Sequence, residues 1–150
     1  MEHEAYMREA LRLAREAAEQ GEVPVGCVVA GPDGQILGIG RNRREEKRAV
    51  SGHAEIEAME MAERALGNWR LDDCSLYVTL EPCPMCAGAI LNARVGKLFY
   101  GARDPAMGAC GGVFNLFYEK LGHEPQITGG ILKEECTAVL TDFFRKCRET

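Results

Sequence analysis

Leu80-Glu81-Pro82-Cys83-Pro84-Met85-Cys86-Ala87-Gly88-Ala89 is the stretch around which the chain is organised. Ahead of it, Ser75-Leu76-Tyr77-Val78-Thr79-Leu80 is rich in β-branched and aromatic residues and predicts a buried strand. Behind it, Ala87 to Ala93 reads as a helix of small residues that packs closely on a neighbour. Pro84, with its fixed φ and missing N–H, suits the first helical position. Cys83 and Cys86 then stand three apart, so both sulfurs fall on one side of the first turn. A helix N-terminus favours anions, and thiolates there are ready to hold a metal. Cys-x-x-Cys alone also fits a redox pair or two unrelated cysteines. A third ligand elsewhere decides between these, and Gly52-His53-Ala54-Glu55 offers His53.

A structural zinc site normally brings four ligands. Three line up here, His53, Cys83 and Cys86, and the fourth position stays open as catalysis requires. Cys74 and Cys110 remain alternative fourth ligands. Glu55 sits two residues after His53, and positions i and i+2 on a helix do not share a face. Glu55 is therefore expected to point across the open position rather than join the metal. Zinc lowers the pKa of its water towards ~7, so a carboxylate beside it can accept and deliver the proton. Asn42 follows the second predicted strand, where a side-chain amide can read the edge of a base.

At 150 residues the chain is expected to form one domain with a real core. Hydrophobic and charged fractions of 46% and 27% are those of an ordinary globular protein. No apolar run reaches the ~18 residues of a membrane span. The acidic start, Met1-Glu2-His3-Glu4, runs into an amphipathic helix and does not read as a signal peptide, so a cytoplasmic location is expected. Seven cysteines lack paired spacing apart from 83 and 86, and buried free thiols explain the others better than disulfides. The net charge of −5 argues against broad nucleic-acid binding, which needs Lys and Arg on phosphates. Two local patches stand against it: five basic residues between 41 and 48, and Arg145, Lys146 and Arg148 near the end.

Tyr6, Met7, Ala10, Leu11, Ala14, Ala17 and Ala18 recur at helical spacing, and Gly21 closes that helix. Residues 22–30 predict a strand, 31–34 a turn and 35–40 its antiparallel return. A helix is expected from about His53, capped by Ser51 or Gly52, to Gly67. After the cysteine helix come a strand over 95–101, a helix over 113–121 and a strand over 126–132. A closing helix over 133–148 is expected to face the core with Cys136, Val139, Leu140, Phe143 and Phe144. The order αββαβαβαβα implies an α/β fold, with a mixed sheet, parallel in its later part, covered by helices on both faces.

His-x-Glu followed by Pro-Cys-x-x-Cys is the pattern of the zinc deaminases. The chain resembles the bacterial tRNA-specific adenosine deaminases (the TadA family) over nearly its whole length. The resemblance rests on Glu22 to Gly26, Arg41-Asn42, His53 to Ile56, Tyr77 to Cys83, Met85 to Ala89, Gly101-Ala102-Arg103-Asp104 and Asp142-Phe143-Phe144-Arg145. It implies a three-layer αβα cytidine-deaminase-like fold with a five-stranded sheet, zinc, a homodimer, and conversion of the wobble adenosine of an arginine tRNA to inosine. It further implies that Asn42 and the Ala54 backbone hold the flipped base, with Asp104 near the sugars of the anticodon loop. The chain departs from the family at Ala49-Val50-Ser51-Gly52, where an Asp-Pro-Thr-Ala-like run is common. Two other readings stay open: a deaminase of free guanine or cytosine with the same fold, and a non-catalytic zinc-stapled RNA-binding module, which leaves Glu55 without a task.

Overall fold

The computed structural model describes residues 3–149. Strands β1 (Gly26–Ala30), β2 (Ile36–Arg41), β3 (Ser75–Leu80), β4 (Lys97–Ala102) and β5 (Gln126–Thr128) form one sheet in the order β2-β1-β3-β4-β5. β1 runs antiparallel to β2 and β3, whereas the β3–β4 and β4–β5 pairs are parallel. The connections explain the change. A tight turn, closed by Gly34 N–H donating to the Gly31 carbonyl at 3.0 Å, joins β1 to β2. Parallel neighbours need a crossover, and α4 (Pro84–Ala93) supplies it between β3 and β4.

Strand alternation sorts side chains onto two faces. Cys27, Val29, Leu76, Val78 and Leu98 pack with Ala58, Met59 and Ala62 of α3 (Ala54–Leu66) and with Ile90 of α4. Val28, Tyr77 and Phe99 face the other way, against Met7, Ala10 and Leu11 of α1 (His3–Glu19) and Cys136 of α5 (Lys133–Glu149). The sheet is thus the middle of three layers, as expected. A Cβ on Gly40 would lie 2.2 Å from the Ala54 carbonyl oxygen, and one on Gly38 2.0 Å from that of Ala58. Glycine at both positions lets α3 lie directly on β2, which fixes the helix that carries Glu55. Among the described residues, no helix is long and apolar enough to cross a membrane.

Four local expectations are corrected. The strand predicted from residue 22 begins at Gly26, because Pro24 has no N–H for a ladder and the Val23 and Val25 carbonyls serve Asn42 instead. The helix predicted over 113–121 is a single 3-10 turn, Leu116–Tyr118. Its upstream donors are spent on the preceding loop, with Val113 N–H on Gly108 and Leu116 N–H on Ala109, both at 2.9 Å. The polar segment after β2 contains one helical turn, α2 (Arg44–Lys47). In α5 only Cys136 is fully buried and Phe144 is exposed, because the helix packs on β4 and α1 through its N-terminal part and extends beyond them.

Candidate metal centre and active site

The N-termini of α3 and α4 meet at one point. Cys83 caps α4 in an extended conformation (φ −75°, ψ 172°), Pro84 opens the helix, and Cys86 follows in its first turn. His53, not Ser51 or Gly52, occupies the cap position of α3, also extended (φ −98°, ψ 146°). His53 therefore stands outside the helix while Glu55 lies in its first turn. The divergence of the two side chains comes from this break in backbone conformation, rather than from two positions on one helical surface.

His53 Nδ1 lies 3.8 Å from Cys83 Sγ and 3.4 Å from Cys86 Sγ, and the three donor atoms all fall within 4.8 Å of one another. Tetrahedral zinc with ordinary Zn–N and Zn–S bonds separates N from S by roughly 3.5 Å. The donor set therefore fits such an ion with one position left open. Neither Cys74 nor Cys110 belongs to the cluster, so the alternative of a fourth cysteine ligand falls away. The hydrogen bond with Cys86, and after it His53, draws the Cys83 thiol down to about 4 despite burial. The bond to Cys83, followed by burial, pushes Cys86 up, and Cys83 raises His53. Away from this cluster, Cys27, Cys74, Cys110 and Cys136 are buried thiols outside any disulfide.

A pocket of about 540 Å³ opens beside this cluster, lined among others by Asn42, Arg44, His53, Ala54, Glu55, Cys83 and Asp104. Glu55 is only 4% exposed, and burial raises its carboxyl group to about 7. Asn42 is fixed twice. Its backbone N–H donates to the Val25 carbonyl at 3.0 Å and its Nδ2 to the Val23 carbonyl at 3.2 Å. Its Oδ1 is buried without a partner, a state that costs about 1–3 kcal/mol and that a donor on a ligand would relieve. Ala54 is the first residue of α3, so its N–H has no acceptor within the helix. Asp104 reaches the pocket wall, and its Oδ1 accepts from the N–H groups of Ala106 and Met107 at 3.0 and 3.2 Å.

Within the basic run 41–48, Arg41, Arg43 and Lys47 are paired with acids. Arg43 pairs with Glu46 and, at 3.2 Å, with Glu57, while Lys47 reaches Glu57 at 2.6 Å and Arg41 reaches Glu46 at 3.3 Å. Arg44, on the pocket wall, takes part in no ion pair among the described residues. Sequence reasoning also gave no task to Glu22 and Glu81, both 2% exposed and both on the pocket wall. Their signal was available: each is a lone acid in an apolar, proline-bearing run, Glu22-Val23-Pro24 and Leu80-Glu81-Pro82.

A tRNA-specific adenosine deaminase of Bacillus subtilis (strain 168) is 45% identical over 147 residues, which cover 97% of this chain and 91% of that one. The chain belongs to the tRNA-specific adenosine deaminase family. The family model of the MafB19-like deaminases matches residues 1–148 of this deaminase. A solved structure from studies of A-to-I editing by tRNA:A34 deaminases at the wobble position of transfer RNA superposes with a TM-score of 0.85 at 42% identity. It covers 91% of this deaminase and 99% of the solved chain. The deaminase is also 50% identical over 143 residues to a tRNA(Ile)-lysidine synthase of Deinococcus deserti, matching 95% of its own length but 27% of that relative.

Proposed function

We propose that residues 1–150 act as one zinc-dependent deaminase domain that converts the wobble adenosine of a tRNA, an arginine tRNA in the first instance, to inosine with release of ammonia. The observation that carries this reading is the position of Glu55, buried in the same pocket as the His53, Cys83 and Cys86 donors and the unpartnered Asn42 Oδ1. Zinc held by these three side chains supplies a Lewis acid that brings the pKa of a water towards ~7. Asn42 Oδ1 and the Ala54 N–H hold the flipped base, and Asp104 lies by the sugars of the anticodon loop.

Glu55 takes a proton from the attacking water and delivers it to N1 of the adenine as the water oxygen bonds to C6. Glu55 then carries the remaining proton of the new hydroxyl to the amino group. The C6–N bond breaks, ammonia leaves, and the C6 carbonyl of inosine remains. A carboxyl group near 7 can do both tasks at neutral pH.

The enzyme works in the cytoplasm, with its tRNA, and as a homodimer. Exposed Trp69, beside a groove lined by Ile56, Met59 and Ala89, supports the dimer. Sedimentation at micromolar concentration tests it, and a fully active monomer would contradict it. The function itself is tested by comparing inosine formation in an anticodon stem-loop with ammonia release from free guanine, cytosine and adenine. Inosine in the stem-loop with no release from free bases is expected. Release from a free base alone would instead make the enzyme a free-base deaminase.

A further inference from the structure

Glu22 and Glu81 are buried acids with no lysine or arginine partner among the described residues. A carboxylate is costly to bury unless hydrogen bonds satisfy it. Backbone N–H groups do so at both. Glu81 Oε1 accepts from Asp104 at 3.0 Å, and its Oε2 accepts from both Cys110 and Gly112 at 2.8 Å. Glu22 Oε1 accepts from Glu45 at 3.1 Å and its Oε2 from Glu46 at 2.8 Å. The loop after β4 is shaped around Glu81. A Cβ on Gly108 would lie 2.4 Å from its carboxylate, and one on Gly112 2.6 Å from Oε1.

The two segments held in this way form pocket wall. The first runs from Asp104 to Gly112 and brings Asp104 and Met107 to the pocket; the second is α2, which brings Arg44. Glu81 ties both ends of the longer loop to the chain two residues before the ligand Cys83. Glu22 does the same beside Val23, whose carbonyl holds the Asn42 amide.

We propose that Glu22 and Glu81 are positioning residues for the RNA substrate, each pinning one stretch of pocket wall through backbone N–H groups and thereby setting affinity rather than the rate of the chemical step. This rests on the RNA-deaminating function proposed above. A glutamine cannot substitute. It has one acceptor oxygen, and its NH₂ group must face an N–H that the carboxylate satisfied. The held conformation then becomes a minor one. Bound RNA restores it, so apparent affinity falls by the populated fraction while the saturated complex reacts as before.

The test is Glu81→Gln and Glu22→Gln, each read by amide hydrogen exchange, bound zinc and steady-state kinetics on an anticodon stem-loop. Zinc content is expected to stay at the wild-type level. The amides of Asp104, Cys110 and Gly112 should exchange faster in Glu81→Gln, and those of Glu45 and Glu46 in Glu22→Gln. KM should rise roughly ten- to hundredfold, the worth of a hydrogen bond to a charged group, with kcat within about threefold. An unchanged KM, or a fall in kcat alone, would overturn the proposal. Should Glu81→Gln fail to fold, Glu22→Gln bears the same test with two anchored amides. The exchange arm needs no substrate, so a wild-type chain that makes no inosine counts against the function, whereas unchanged exchange counts against the anchors.

Discussion

His53 Nδ1 lies 3.4 Å from the Sγ of Cys86, although 33 residues separate them in the chain. The contact exists because the N-termini of α3 and α4 converge, with His53 and Cys83 at the two cap positions. Neither cap side chain bonds its own helix, so both are free to face a shared ion.

This convergence predicts one zinc per chain, bound through His53, Cys83 and Cys86. Cys83→Ala is expected to lose the metal and to lower the melting temperature, because a structural contact between two helices goes with it. Elemental analysis of the purified variant checks this. A full complement of zinc with unchanged coordination would show that the ligand assignment is wrong.

Glu55 is predicted to move protons without supporting the fold. Glu55→Ala should retain zinc and secondary structure and lose at least roughly 10²–10⁴ in rate. Single-turnover assays on the stem-loop measure it directly. Turnover within a few-fold of wild type would remove Glu55 from the reaction.

Asn42 Oδ1 is buried without a partner, so its partner should arrive with the substrate. Asn42→Ala is expected to weaken stem-loop binding about tenfold, corresponding to one hydrogen bond at a buried site. It should leave the zinc in place. Fluorescence anisotropy with labelled RNA reads the change, and an unaltered dissociation constant would mean that Asn42 only fastens β2 to the segment around Val23.

The ion pairs of the 41–48 segment separate two arginines that the sequence alone treats alike. Arg44→Ala should flatten the dependence of log K on log salt by about 0.7 for one single-strand phosphate contact. Arg43→Ala should change the slope little, since Glu46 and Glu57 already occupy its guanidinium. Binding titrations over a range of salt concentrations distinguish them. Equal effects from the two variants would mean that RNA breaks the Arg43 pairs on binding.

The parts of this site that were legible in the sequence are those set by spacing. Cys-x-x-Cys on a strand-to-helix turn, with His-x-Glu upstream, needs no tertiary knowledge to suggest a metal and a proton carrier. The buried strand 75–80 and the Ala-rich helices were legible for the same reason, since period and composition determine them. What stayed hidden depends on partners distant in sequence. Arg43 reads as a free cation until Glu57, 14 residues away, is seen beside it. Residues 113–121 read as a helix in the sequence, but the N–H groups of Val113 and Leu116 find acceptors in the loop behind them. Glu81 is conspicuous as a lone acid, yet only the folded loop reveals the three N–H groups that it holds.

Hydrolytic deamination of a wobble adenosine in the pocket that holds Glu55 leaves a label that can be traced. Its most direct test is to incubate the enzyme with an arginine tRNA bearing A34 in ¹⁸O-water and to analyse the digested nucleosides by mass spectrometry. One inosine per tRNA is expected, at the wobble position, carrying the heavy oxygen at C6, and only background inosine with Glu55→Ala. Absence of inosine, inosine without the label, or an equal yield from the variant would contradict it.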